Sequence, residues 1–242
     1  MRVLLTGAAG FVGRIALDLL NDRHEVTAFD VRDVTDWEGT LVGDVLDYEN
    51  LLKAVEGHDA IVNTIMAPND AYGGGGLGFT VNVSGMYNML EAARECGIKR
   101  FVHTSSGAVH TGYPGPPSTF LHRDLYPLKA SGPYALSKVL QEELARNFHE
   151  QHDLSIAAIR PWGIIDTEKM VTTDGSAIDG FFWGAIDRRD VASALVCALE
   201  AENIDYECFY VMATPGGSLA TDVAYTEMRL GWKPSITFDE NL

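Results

Sequence analysis

Three glycines, Gly7, Gly10 and Gly13, stand three residues apart directly after the apolar run Val3-Leu-Leu-Thr6. An apolar run that ends at glycine reads as a buried parallel strand. Beyond it Phe11, Val12, Ile15, Ala16, Leu19 and Leu20 recur at helical spacing. The glycines therefore occupy a strand-to-helix turn. That turn commits the chain to crossover connections, because two parallel strands cannot be joined by a hairpin.

The pattern continues. Residues 25–29, 40–42, 59–63, 100–104 and 154–159 read as strands, and 50–55, 81–96 and 133–151 as helices. The proline-rich stretch 107–130 reads as a long loop, and 162–186, rich in Gly, Asp and Thr, as irregular. A helix over 190–200, a strand over 208–212 and a helix over 221–230 follow. The alternation predicts an α/β fold, a doubly wound parallel sheet of the Rossmann type. The chain reads as a single domain over 1–242, with 162–242 contributing a small substrate-binding part.

Glycine at such a turn lets the backbone approach an anion closely, and the amides at a helix N-terminus face it. A dinucleotide pyrophosphate fits that description. Asp30 closes the second strand, where a carboxylate can accept both ribose hydroxyls of an adenosine and repels the extra phosphate of NADP. NAD is the expected cofactor, although Arg32 could pair with that phosphate. Asp44 follows the third strand, placed either to meet an adenine amino group or simply to serve a turn.

Tyr134 and Lys138 lie four residues apart at the start of a helix, hence on one face. A tyrosine, with an unperturbed pKa of about 10, needs help to act as a base. An adjacent ammonium favours the phenolate. Thr104-Ser105-Ser106, at the end of the fifth strand, supplies a hydroxyl to hold a substrate oxygen. A Tyr-x-x-x-Lys pair alone is common on helix surfaces. The glycine turn and the serine-ended strand upstream of it make the three features one site.

Together these motifs resemble the extended short-chain dehydrogenase/reductases, a group that includes sugar-nucleotide epimerases and dehydratases and uronate dehydrogenases. The resemblance rests on Gly7-x-x-Gly10-Phe11-Val12-Gly13, Asp30, Asp44-Val45, Asn82, Ser105-Ser106, Tyr134-x-x-x-Lys138 and Arg160-Pro161. It resumes weakly over 187–191 and 230–234. It implies Ser106, Tyr134 and Lys138 as the catalytic set. It implies NAD contacts from Gly7, Gly10, Phe11, Val12, Gly13, Asp30, Asp44, Val45, Asn82 and Pro161, besides Tyr134 and Lys138. It departs from the family at Asn63-Thr-Ile-Met66-Ala67, His110-Thr-Gly112 and Trp162-Gly163-Ile164, all expected on the substrate side. Candidate substrate contacts are Ser105, His110, Trp162, Lys169 and Arg188.

The activity so implied is NAD-dependent oxidation of a secondary alcohol or hemiacetal of a small sugar, sugar acid or sugar derivative. The short stretch after Pro161 favours such a substrate over a nucleotide sugar. A sugar-nucleotide epimerase with tightly bound NAD and a non-catalytic NAD-sensing protein are the alternatives. The resemblance also implies a homodimer. The glycine-rich segment 72–78 reads equally as a lid or as a flexible loop.

The formal charge of −16 comes from 34 acidic and 18 basic residues. Such a surface repels nucleic acid and anionic membranes. No apolar run reaches the roughly 18 residues of a membrane span. The first strand starts at the N-terminus, leaving no room for a signal peptide. The three cysteines lack metal-ligand spacing and read as reduced thiols of a cytoplasmic protein. The seven histidines are dispersed, and no metal is expected. Two readings of the charge stand open: ordinary acidity, or adaptation to high salt. Salt screens carboxylate repulsion beyond about 10 Å at 0.1 M. Under the saline reading the melting temperature rises from low to molar salt. A flat or falling curve assigns ordinary acidity.

Overall fold

The computed structural model describes residues 1–67, 76–115 and 118–238. In chain order its elements are β1 (Arg2–Thr6), α1 (Gly13–Asn21), β2 (Glu25–Asp30), β3 (Leu41–Val42), α2 (Tyr48–Val55), β4 (Ala60–Asn63), α3 (Gly76–Glu95), β5 (Arg100–Thr104), α4 (Pro133–Gln151), β6 (Ser155–Pro161), β7 (Gly163–Asp166), β8 (Val171–Thr172), β9 (Ala185–Asp187), α5 (Arg188–Glu200), β10 (Tyr206–Val211), α6 (Pro215–Ala220) and α7 (Val223–Leu230). A short 3-10 helix, Gly107–His110, follows β5.

Seven strands form one parallel sheet in the order β10-β6-β5-β4-β1-β2-β3. Successive side chains on a strand point to opposite faces, and here both faces are covered. Val3 and Leu5 join the core layer beneath α1 and α5, as do Val62, Val102 and Ile159. Leu4 joins the opposite layer with α2, α3 and α4, as do Ile61, Phe101 and Ile156. Burial on both faces is why these strands read as continuous apolar runs. The fold is the doubly wound α/β sheet expected.

Three local readings change. The third helix starts at Gly76 rather than 81, so residues 76–78 form its first turn. The rest of the segment read as lid or loop, 72–75, lies outside the described residues. The stretch read as irregular, 162–186, carries a small sheet in the order β8-β7-β9. Its strands have two to four residues, too few to show periodicity, and are defined by pairings such as Gly163 with Ala185. The extra helix α6 is set by Thr214, whose hydroxyl accepts the Gly217 N–H at 3.1 Å, and by Pro215 in its first turn. Among the described residues no helix is long and apolar enough to cross a membrane.

The β1–α1 turn is closed backbone against backbone. A Cβ on Gly13 would lie 2.0 Å from the Gly7 carbonyl oxygen and 2.7 Å from Thr64 Oγ1. Backbone must shift to admit even a methyl group. Gly13→Ala is expected to destabilise the protein by about 1–3 kcal/mol, the usual cost of overpacking. Thermal denaturation reads this as a fall of several degrees, and wild-type melting would show that the turn can yield.

Candidate active site

The chain leaves β1 for β2 on one side and returns to β4 on the other. The connections after β1 and β4 therefore diverge at the carboxyl edge of the sheet and open a crevice there. It is a cleft of about 1120 Å³, above the roughly 300–1,000 Å³ of ordinary small-molecule pockets. The glycine turn forms one end and the start of α4 the other.

At the first end Gly7 adopts φ +79°, a conformation open to glycine at no steric cost. A Cβ there would lie 2.8 Å from the Ile65 nitrogen. The Gly7 carbonyl accepts the Gly10 N–H at 2.9 Å and Thr64 Oγ1 at 3.1 Å. Gly10, Phe11 and Val12 line the cleft, while Gly13 packs behind them on the Gly7 carbonyl. Asp30 is buried; its Oδ2 accepts the Ala9 N–H and its Oδ1 the Arg32 N–H, both at 3.0 Å. Arg32 is tied down in turn, its Nη2 donating to the Ala9 carbonyl at 3.0 Å. Asp44 and Val45 also line the cleft, and Asp44 Oδ1 accepts the Leu46 N–H at 2.9 Å, a turn-stabilising bond.

At the other end Thr104, Ser105, Ser106, Tyr134 and Lys138 come together on the lining. Lys138 is buried and its Nζ donates to the Thr104 carbonyl at 2.9 Å. Burial pushes its ammonium down to about 8, against the opposing pull of the Glu142 carboxylate. Ser106 Oγ accepts the Ala108 N–H at 3.1 Å, which leaves its O–H to donate into the cleft. Thr104 Oγ1 is buried without a hydrogen-bond partner among the described residues. Ser105 turns away, its hydroxyl donating to Glu142.

Of the other residues singled out from the sequence, Pro161, Trp162 and Arg188 line the cleft. Arg188 pairs with Asp166 at 2.8 Å and lies over the Phe11 ring at 5.1 Å. Asn82 sits inside α3, off the lining. Its side chain accepts the Ala67 N–H and donates to Ser137 Oγ, both at 3.1 Å, so it ties the exit of β4 to α4. His110 also lies off the lining: its ring is buried between the Tyr210 hydroxyl and the Leu125 carbonyl. Burial, with Arg160 nearby, pushes it down to about 4, so it is neutral. Lys169 is exposed beyond β7 and does not line the cleft. Among the described residues no cluster of His, Cys, Asp or Glu is poised to hold a metal ion.

Sequence reasoning did not single out Thr64 or Glu142. Glu142 was signalled, because it continues the four-residue spacing of Tyr134 and Lys138. Thr64 carries no such signal, since its hydroxyl reaches carbonyls of β1 far away in sequence.

Residues 3–165 match the model of the NAD-dependent epimerase/dehydratase family. The chain is 33% identical over 168 residues to an L-arabinose 1-dehydrogenase (NAD(P)+) of Haloferax volcanii, covering 66% of this chain and 65% of that protein. It is 33% identical over 177 residues to a 3-beta-hydroxysteroid dehydrogenase of Mycolicibacterium neoaurum, covering 67% of this chain and 47% of the relative. The matched stretch thus spans 65% and 47% of these relatives' lengths. A solved short-chain dehydrogenase/reductase superfamily protein from Agrobacterium tumefaciens with bound NAD shares the fold with a TM-score of 0.82 at 22% identity. That match covers 98% of this chain and 93% of the other.

Lys138 makes the site costly. The folded state holds its proton less tightly than the unfolded chain. Below about pH 8 both states are protonated and the folded protein carries the full penalty. A fall from 10.5 to about 8 corresponds to on the order of 3 kcal/mol. The penalty fades as pH rises from about 8 toward 10.5, where the native lysine is neutral and the unfolded one still charged. Lys138→Met is therefore expected to melt several degrees above wild type at pH 7, with the gain shrinking by about pH 10. A lower melting temperature at pH 7 would show that the bond to Thr104 outweighs the burial.

Proposed function

The chain belongs to the NAD-dependent epimerase/dehydratase family, and from that premise we propose that it oxidises a secondary alcohol or hemiacetal of a small sugar, sugar acid or sugar derivative with NAD. One observation carries the reading: an ammonium is buried, at a cost, one helical turn from a cleft-lining tyrosine and beside two cleft-lining serines. A merely structural helix has no reason to keep a charge there.

The cleft suits a dinucleotide. Gly7 and Gly10 line the cleft with backbone alone, so a phosphate can approach the turn closely, and Gly13 keeps the turn closed from behind. Asp30 stands at the adenosine end. Its carboxylate is already fixed by two backbone amides, so it is oriented to accept from ribose hydroxyls and to repel a phosphate in their place. Arg32 has its guanidinium engaged by Ala9 and Asp30, which supports NAD over NADP.

Ser106 donates to the substrate oxygen and orients it. Tyr134 takes the hydroxyl proton on its phenolate oxygen. Lys138 holds that phenolate by its charge and is itself placed by the Thr104 carbonyl. Bound NAD supplies the hydride acceptor. The indole of Trp162 and the guanidinium of Arg188 offer an apolar face and a polar edge to a sugar ring. A relative that acts on a free pentose supports a small substrate. The homodimer implied by the family resemblance would join α3 and α4, whose outer faces expose Tyr87 and Leu136.

The test is a panel of L-arabinose, D-galactose, D-glucuronate, D-galacturonate, a 3β-hydroxysteroid and UDP-galactose, each with NAD+ and read as NADH absorbance. Turnover is expected with a free sugar or sugar acid. Tyr134→Phe keeps NAD+ affinity and loses at least about a hundredfold in turnover. Turnover with the steroid alone, or tight binding of UDP-galactose with an epimerised product, would replace this reading. Near-normal turnover in Tyr134→Phe would end it.

A further inference from the structure

Beneath the cleft lies an ion pair sealed from solvent. Arg160 on β6 and Glu142 on α4 both have fully buried side chains. Arg160 Nη2 donates to Glu142 Oε2 at 2.6 Å and its Nε to Oε1 at 2.9 Å. Burial raises the Glu142 carboxyl, but Arg160 and the Ser105 hydroxyl outweigh it and hold the group below its ordinary value. A buried pair is a weak source of stability, because apolar residues of similar size often serve as well. Its position calls for another account.

Glu142 follows Lys138 by one helical turn, as Lys138 follows Tyr134, so the three share one face of α4. Ser105 Oγ donates to Glu142 Oε1 at 2.5 Å. Ser105 is the middle residue of a three-residue segment. Its predecessor, Thr104, offers the carbonyl that accepts Lys138 Nζ. Its successor, Ser106, carries the hydroxyl that opens into the cleft. One carboxylate thus grips the residue between the two groups on which the proton chemistry depends. Arg160 anchors that carboxylate from the sheet, and its Nη1 donates to the Arg123 carbonyl at 2.8 Å in the long loop.

We propose that Glu142, held by Arg160, is a positioning residue that clamps Ser105 and thereby sets the Thr104 carbonyl against Lys138 and the Ser106 hydroxyl toward the substrate. Glu142 does not line the cleft. The proposal rests on the roles given above to Tyr134, Lys138 and Ser106. The groups facing Lys138 are Tyr134 and Glu142 on its own helix and His103 on β5, with Arg160 of β6 behind Glu142. Burial, reinforced by Lys138 itself, keeps His103 neutral.

A pair that serves only the fold would change stability and nothing else. The discriminating readout is the titration of Tyr134 itself, in the free protein. It is taken as the difference in phenolate ultraviolet absorbance between each protein and its Tyr134→Phe counterpart. Ser105→Ala cuts the clamp and leaves the ion pair in place. Ser105→Thr restores a hydroxyl. Glu142→Leu/Arg160→Met replaces the pair with apolar side chains of similar size. Ser105→Ala and the double variant are expected to raise the Tyr134 midpoint by at least about half a pH unit, a threefold change in the phenolate equilibrium. Ser105→Thr is expected to return it to the wild-type value. Midpoints that stay at the wild-type value, whatever the melting temperatures do, overturn the proposal. If the double variant does not fold, Ser105→Ala against Ser105→Thr decides alone. A wild-type midpoint at the free-tyrosine value of about 10 would instead sink the acid–base role of Tyr134, and this proposal with it.

Discussion

The carbonyl oxygen of Gly7 is the point on which the rest of the molecule depends. It accepts hydrogen bonds from the Gly10 amide and the Thr64 hydroxyl, and Gly13 packs against it. One backbone oxygen therefore joins the end of β1, the start of α1 and the exit of β4. That junction is the switch point of the sheet. The glycines act there through what they lack. A Cβ on any of the three would lie within 2.9 Å of a neighbouring backbone atom, and the turn itself needs a positive φ at Gly7.

At the far end of the cleft the constraint is charge rather than space. Lys138 is buried with a single hydrogen bond to a carbonyl among the bonds the structure assigns to it. Glu142 and Arg160 lie just beyond, also buried. Three ionised groups within one layer of core form an expensive arrangement. Sites that perform chemistry tolerate such costs, because orientation matters more there than stability. The opposing terms are visible: apolar strands buried on both faces supply the stability that the polar cluster consumes.

How much of this was legible in the sequence varied with the range of the interaction. The strand runs around Val3, Ile61 and Phe101 were legible, because burial on both faces writes itself as consecutive apolar residues. The glycine turn and the Tyr134–Lys138 spacing were legible because each lies within one or two turns of chain. His110 was not. It stands four residues after Ser106 and looks available, yet its partners Tyr210 and Leu125 lie farther along the chain and take both ring nitrogens. Nor was the small sheet after β6. Its glycines read as loop, whereas they serve as seats for aromatic rings. A Cβ on Gly163 would meet Phe182 at 1.8 Å, and one on Gly184 would meet Trp162 at 2.8 Å. Glycine marks a turn and glycine marks a packing seat, and only the distant ring tells which.

The same contrast between long and short range governs how an acidic protein can hold an anionic dinucleotide. Among the described residues ten of the twelve arginines are ion-paired. The arginines at the cleft are among them: Arg14 faces Asp18, Arg32 faces Asp30 and Arg188 faces Asp166. Little positive field remains to draw a pyrophosphate in, and the −16 charge opposes its approach. Under the function proposed above, capture would rest on contacts that act at a few ångströms, from amides at the glycine turn and the apolar walls around Ile65 and Trp162. Screening at molar salt acts over about 3 Å and removes the long-range repulsion while leaving those contacts in place. A cleft built in this way can work against a strongly acidic surface.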